Sequence, residues 1–419
     1  MSEWQEVRLG DVLDKIVGGG TPSKENPSYW DGGDIFWCSV KDMSDDKFRI
    51  LQTKDTITLD GLNNSSANLI PKGTVITATR MGLGRAFINE TDMAINQDLK
   101  ALIPNSNINN KYLLWTIILY RNYIEMLGNG ATVKGIRLET LKNIKINLPP
   151  LPAQQKIAKI LSNYDDLIEN NLKRIKLLEE SARLTYEDWL LRRKVHGEIV
   201  PDLEITDTPL VEMIDDYMNG GWGKEDPEGG YIHQAYVIRG TDMPDISQGE
   251  FSRAPLRFHT ESNLKPRKLN IGDIAIEMSN GNIGNVGRSI YFDSGINSIF
   301  SEGCMCASFC KMIKPKSLGF SYLIDSHLKY IHNTDEMLIY KSQGANGINN
   351  FRFKDMVNDE VISIPNGRHL INLTEIFKNI YSEKSNLTIQ IKLLKEARDI
   401  LLPRLMTGMI DTDNMDIAV

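Results

Sequence analysis

The sequence predicts an α+β chain: two mixed α/β globules separated by two long helices that pair as a coiled coil. Three observations predict it. Stretches rich in Gly, Asn and Thr, with short β-like runs, alternate with long stretches that contain no Gly. Apolar residues in the Gly-free stretches recur every seven positions, the period of a coiled-coil seam. The two halves also match segment by segment at offsets of about 200 to 216, so the chain is a tandem duplication of one globule-plus-helix unit.

Residues 1–150 form the first globule, with runs such as Gly73-Thr74-Val75-Ile76-Thr77-Ala78. Leu148-Pro149-Pro150-Leu151-Pro152 closes it, since proline continues neither a helix interior nor a strand ladder. The first helix takes 151–199. Its seam is Leu161, Tyr164, Ile168, Ile175, Leu178, Ala182 and Trp189, with polar Asn171 and Thr185 at two positions. The run 153–193, without Gly or Pro, spans ~60 Å at 1.5 Å per residue and outruns a globule of ~150 residues with a radius of gyration of ~15 Å, so the two helices pair with each other. Residues 200–368 form the second globule and 369–410 the second helix, followed by a tail over 411–419. The second seam begins near Leu373 and continues through Ile376, Ile380, Leu387, Leu394, Ala397 and Leu401; Pro403 ends or kinks it. The duplication shows in Lys176-Leu177-Leu178-Glu179-Glu180 against Lys392-Leu393-Leu394-Lys395-Glu396, and in Val40-Lys41-Asp42-Met43 against Gly240-Thr241-Asp242-Met243. Gly130-Ala131 with Gly135-Ile136 matches Gly344-Ala345 with Gly347-Ile348.

With 41% hydrophobic and 25% charged residues over 419 positions, the composition is that of a globular protein and excludes disorder and collagen. No apolar run approaches the ~20 residues of a membrane span. Met1-Ser2-Glu3-Trp4-Gln5-Glu6 lacks the features of a signal peptide, so a cytoplasmic location is expected. Net charge is −7, concentrated in 200–365, where 15 basic face 23 acidic side chains. That excludes a generic DNA-coating protein, because non-specific affinity comes from Lys and Arg on phosphates. Cys304, Cys306 and Cys310 fall in what reads as one strand over 299–310. Cys304 and Cys310 would then stand ~20 Å apart at ~3.3 Å per residue, too far for one zinc, so they read as small buried thiols.

Catalytic constellations are missing from the sequence. The one Pro-Pro, at Pro149-Pro150, lacks the Asn/Asp and aromatic that base N-methylation needs. Gly281-Asn282-Ile283-Gly284-Asn285-Val286-Gly287 has the wrong spacing for a dinucleotide fingerprint, and Gly223-Lys224 is followed by Glu225 rather than Ser or Thr. Asp98-Leu99-Lys100 has no Pro-Asp partner for a metal-dependent nuclease, and six scattered histidines give no zinc helix. The expectation is a non-catalytic chain with no cofactor or metal of its own.

The order of motifs resembles the specificity subunit of type I restriction–modification systems. The resemblance rests on Val7-Arg8-Leu9-Gly10-Asp11-Val12, Gly20-Thr21-Pro22-Ser23, Tyr29-Trp30-Asp31-Gly32, Ile35-Phe36-Trp37 and Ala94-Ile95-Asn96-Gln97. Most specific are Leu148-Pro149-Pro150-Leu151-Pro152-Ala153-Gln154-Gln155-Lys156-Ile157, opening the first helix, and Leu401-Leu402-Pro403-Arg404-Leu405-Met406-Thr407-Gly408, closing the second. The second helix departs from the pattern by entering after Ile364-Pro365-Asn366-Gly367-Arg368-His369. The resemblance implies that each globule is a target recognition domain reading one half of an asymmetric, split site in double-stranded DNA. It implies that the helices pack antiparallel as a coiled coil, set the gap and bind two methyltransferase subunits, with motor–nuclease subunits as further partners. S-adenosylmethionine would then sit in the methyltransferase, and Mg and ATP in the motor–nuclease. A methyltransferase-only or type IIB-like system, or a stand-alone DNA-binding scaffold, remains the alternative.

Recognition chemistry picks out candidate DNA contacts: Arg or Lys on guanine, Asn or Gln on adenine, and small donors on phosphates. In the first half these are Gly20, Thr21, Ser23 and Lys24 in a glycine-rich loop, Arg80 and Arg85 between two β-like runs, Asn96 and Gln97, and Lys134. In the second half they are Ser279, Asn280, Asn282 and Arg288, then Asn346, placed as the match of Lys134, and Lys265 and Lys268 in a basic run with Arg267. Lys41 and Arg239, at the matched segments, complete the set. Trp37 and Trp222 read as packing residues rather than base-stacking ones.

Overall fold

The computed structural model describes residues 4–130, 133–195, 197–200, 203–247, 249, 253–344 and 347–412. The chain divides into two compact units, Met1–Asp166 with Lys395–Val419, and Leu167–Leu394. Each holds one globule and segments of both long helices.

In the first unit a five-stranded sheet runs in the order Leu13–Gly18, Leu99–Pro104, Val75–Ala78, Ala86–Asn89, Arg49–Ile50. A four-stranded sheet has the parallel pair Ile35–Cys38 and Met93–Ile95 at its centre. Val75–Ala78 is buried at every position, as a central strand covered on both faces must be. The helix Asn110–Leu119 is apolar almost all round, and Tyr112, Leu113, Leu114, Trp115 and Ile117 are all buried. It supplies much of a core that Ile157 and Leu161 join from the first long helix, and Leu402, Leu405 and Met406 from the second.

The second unit repeats the plan. Ile214–Asn219, Cys310–Pro315, Ile274–Glu277 and Ser289–Tyr291 form one sheet in that order. Leu256–His259, His233–Ile238 and Cys304–Cys306 form another, with the last two parallel. Tyr186, Trp189 and Leu190 from the first long helix, and Leu373, Phe377 and Tyr381 from the second, join its core. Among the described residues no helix is long and apolar enough to cross a membrane.

The first long helix runs Leu151–Tyr186 and continues as a π-helical turn, Glu187–Leu191. Pro152 is accommodated in its first turn, where the missing N–H would have no intrahelical partner anyway. The second runs Gly367–Met406, starting before its first seam residue because the opening turn is polar. Pro403 does not end it: the chain carries on for one turn, and the Thr407 N–H and hydroxyl both bond the Pro403 carbonyl. The helices run antiparallel within each unit. In the second, Asn171 pairs with Gln390 at 3.2 Å and Glu179 with Lys384 at 2.6 Å, beside a core of Ile168, Ile175, Leu387 and Ile391. In the first, Arg398 and Asp165 meet at 2.9 Å, both buried.

Two readings of the sequence need correction. The second seam keeps Leu373 and Leu387 of the expected heptad, both buried, but is otherwise rotated from it. Phe377, Tyr381, Ile391, Arg398 and Leu402 are buried, whereas Ile376, Ile380, Leu394, Ala397 and Leu401 are only half-buried. A true helix drifts ~20° per heptad, and bulky aromatics follow the real period of 3.6. Residues 299–310 are not one strand either. Cys304–Cys306 ends, the chain turns over 307–309, and Cys310 opens the next strand. All three thiols lie in one core, and burial pushes the Cys310 thiol up to about 12.

Candidate nucleic-acid interface

In the first unit four separate segments converge at one end of the sheets. Gly20 donates its N–H to the Ile95 carbonyl (2.9 Å), and a Cβ on Gly19 would stand 1.9 Å from that same oxygen. Glycine is therefore required for the approach. Next to it the Thr21 hydroxyl bonds Gln97 Oε1 at 2.6 Å. The turn after Ile95 is held by Asn96 N–H to the Cys38 carbonyl, and Thr79 N–H bonds the Asp98 carbonyl at 2.8 Å. Asn96 points inward, and its Oδ1 accepts from the Asp98 N–H. Asp98, also buried, lies 3.7 Å from the half-exposed Arg80 guanidinium, and Arg80 pairs with Gly135 through the backbone. The edge thus brings together Gly20, Thr21, Arg80, Gln97 and Lys134.

The second unit builds the same edge from the same backbone bonds. Gly221 N–H bonds the Cys306 carbonyl, Ala307 N–H the Ile238 carbonyl, Cys310 N–H the Ala307 carbonyl, and Met278 N–H the Phe309 carbonyl. A Cβ on Gly220 would stand 2.3 Å from the Cys306 oxygen, as on Gly19 it would meet Ile95. Ser279 and Asn280 pair with Asn350 and Asn349, where Arg80 pairs with Gly135. By this register the counterpart of Lys134 is Asn349, not Asn346. The hairpin loop is two residues longer than its partner: Asn129 opposes Gly135 in one, Ser342 opposes Asn350 in the other. Asn349 is buried and donates to the Asn280 and Gly281 carbonyls. Asn346 lies outside the described residues.

The other candidates sort by what already engages them. Arg85 pairs with Asp45 at 2.6 Å, and Arg121 shares that carboxylate. Burial acts to raise the Asp45 carboxyl, but the two guanidinium groups bring it below its ordinary value. Arg239 grips Asp242 through two bonds, and Arg288 bonds Glu277 and the Gly240 carbonyl, each at 2.8 Å. These three arginines brace the loops. Ser23, Lys24, Lys41, Lys134, Lys265, Lys268 and Asn282 are exposed. Lys268 sits beside Gly303, at the start of the strand whose far end carries the 307–309 turn. In the same basic run Arg267 reaches the edge, donating to the Asn219 carbonyl at 3.1 Å. Trp37 is buried with its indole N–H on the Gly20 carbonyl, whereas Trp222 is partly exposed and lies 5.4 Å from the Arg257 guanidinium carbon.

The structure adds residues not picked from the sequence. Lys100 and Lys311 occupy matched positions; Lys100 donates to the Gln97 carbonyl and Lys311 to Asn219 Oδ1. Burial lowers both ammonium groups from their ordinary value. The signal was Asp98-Leu99-Lys100 against Phe309-Cys310-Lys311. Each edge is a shallow surface of amides, hydroxyls and cations around a turn, which suits hydrogen bonding to base edges and phosphates.

Residues 1–180 match the family model described as the type I restriction modification DNA specificity domain. The chain is similar to the type I restriction enzyme MjaIX specificity subunit of Methanocaldococcus jannaschii, at 25% identity over 99% of this chain and 95% of that one. A type I restriction enzyme specificity subunit of Escherichia coli is 33% identical over 45% of this chain and 48% of its own. The solved type I restriction–modification S subunit from M. genitalium shares the fold, with a TM-score of 0.54 at 16% identity over 97% of this chain and 96% of that one.

Proposed function

We infer, for a chain that carries a type I restriction modification DNA specificity domain and resembles type I specificity subunits along its length, that its two edges each read one half of an asymmetric bipartite site in double-stranded DNA. One observation carries this reading. The same backbone contacts build the edge twice, and the side chains presented on them differ. In the first edge Thr21 engages the Gln97 carbonyl oxygen, which leaves the Gln97 amide N–H2 to donate to a base edge; Arg80 offers its guanidinium, and Lys24 and Lys134 hold phosphates.

The long helices set the gap between half-sites and dock two methyltransferase subunits. Leu177 and Leu184 support the docking: both are exposed and seven residues apart on the α-helical part of the first helix. That is the spacing another helix would cover, at ~1.5–3 kcal/mol for each leucine fully buried. S-adenosylmethionine binds the methyltransferase partner, motor–nuclease subunits complete the assembly, and this chain performs no chemistry itself.

The test is methyl transfer from labelled S-adenosylmethionine to DNA. The full chain with its methyltransferase subunits labels a split motif, and the chain alone labels nothing; label transfer by the chain alone contradicts the reading. Inserting four residues near Arg183 adds about 6 Å and rotates the seam. It lengthens the unspecified gap by one or two base pairs or abolishes assembly, and leaves the half-site sequences unchanged. An altered half-site with an unchanged gap contradicts the spacer role.

A further inference from the structure

Phe309 is the least expected side chain on the second edge. Its ring is 66% exposed at the tip of the 307–309 turn, and the backbone on either side is held by the bonds that place Asp98 in the first unit. There the matched residues fold inward: Asn96 caps the Asp98 N–H, and both are buried. Here Ala307 stands in the place of Asn96 and offers no such cap, and the tip carries an aromatic ring into solvent. Ser308 beside it is exposed as well.

An exposed ring on a DNA-facing turn has two physical uses. As a wedge between base pairs it costs a few kcal/mol of unstacking per step, recovered by wrapping bent DNA over cationic surface. Residues 200–365 hold 15 basic against 23 acidic side chains, so this globule is poor in the charge that recovers that cost. A thymine 5-methyl in the major groove needs only an apolar contact and no deformation. We propose that Phe309 is a specificity-determining residue that contacts a thymine methyl in the second half-site, so that this edge reads partly by apolar contact where the first reads by hydrogen bonds and charge. This rests on the reading of the edges as DNA-reading surfaces.

The test uses the full chain assembled with its methyltransferase subunits, on duplexes carrying its methylated motif. Each thymine of the motif is replaced in turn by uracil, which removes the methyl and nothing else. At one thymine of the second half-site, uracil weakens binding about fourfold, the worth of one buried methyl. Phe309→Ala weakens binding to the thymine duplex by a similar factor and no longer distinguishes thymine from uracil. Four results overturn the proposal: a second half-site without thymine on either strand; no uracil effect there; discrimination that survives Phe309→Ala; or a uniform loss on every duplex together with the loss of a 2-aminopurine unstacking signal, the mark of a wedge. A complex with no preference for any split motif overturns the underlying reading, and this inference with it; in the four cases above, the motif preference persists.

Discussion

The two globules differ where they present side chains and agree where they hold backbone. Gly19 and Gly220 meet the same carbonyl environment, and the turns 96–98 and 307–309 hang on equivalent bonds. Yet one turn bears Gln97 and the buried Asp98, the other Ser308 and the exposed Phe309. Backbone bonds are indifferent to side-chain identity, so a duplicated frame keeps its shape while the side chains it presents diverge. The helix seams differ in the same way: the first unit closes on the buried Arg398–Asp165 ion pair, the second on the Asn171–Gln390 amide pair.

That contrast sets the largest predicted effect. Arg398→Ala removes one partner of the buried ion pair with Asp165, a loss that costs ~3–5 kcal/mol. Asn171→Ala, which loses one neutral hydrogen bond, costs ~1 kcal/mol. Denaturant titrations followed by hydrogen exchange should show the first unit opening in Arg398→Ala and the second, more weakly, in Asn171→Ala. Equal losses in both units would erase the distinction.

Arg80→Ala comes next. Loss of a bidentate base contact costs ~1–3 kcal/mol in binding and relaxes specificity at one position. The relaxation falls in one half of the motif, read by competition binding on single-base variants. Relaxation in both halves contradicts the assignment of one edge to each half-site.

Acidification separates the units by a smaller amount. All six histidines lie in 167–394, and the first unit has none. Burial holds the His259 imidazole below its ordinary value; burial, reinforced by Lys341, does the same to His332. A base whose folded pKa is depressed favours the neutral form in the fold. Its contribution is complete above the unfolded value of about 6.5 and is lost as pH falls through the window below it. Hydrogen exchange at pH 7.5 and 5.5, corrected for intrinsic rates, should therefore show the second unit losing protection first. His259→Phe should reduce that loss. The smallest effect is that of Lys134→Ala, which lowers affinity for all sequences alike and reduces the salt slope by about one; a sequence-dependent effect would move Lys134 from phosphate to base contact.

Much of the fold was readable from the sequence because strong local signals survive duplication: proline-closed globules, Gly-free helices, and matched segments at offsets of about 200 to 216. The edge was readable in part. Gly20, Thr21, Arg80 and Gln97 come from four segments and meet, because glycine-rich loops and polar turns mark where chains approach closely. Arg85, Arg239 and Arg288 looked like the same kind of residue, but the acids that engage them, Asp45, Asp242 and Glu277, are recognisable only in three dimensions. Phe309 was hidden for another reason. Cys304, Cys306 and Cys310 keep an alternation of two across the turn, so the sequence mimics one strand there. Lys134 and Asn346 were matched through glycines in hairpin loops of unequal length, where register cannot be counted without the ladder.

One frame, built twice, is proposed to read two different half-sites. Sequencing the methylated bases in a host with and without the gene tests it most directly. The expected result is a gene-dependent asymmetric motif, two unlike specified halves with an unspecified middle. A palindromic or continuous motif would contradict it.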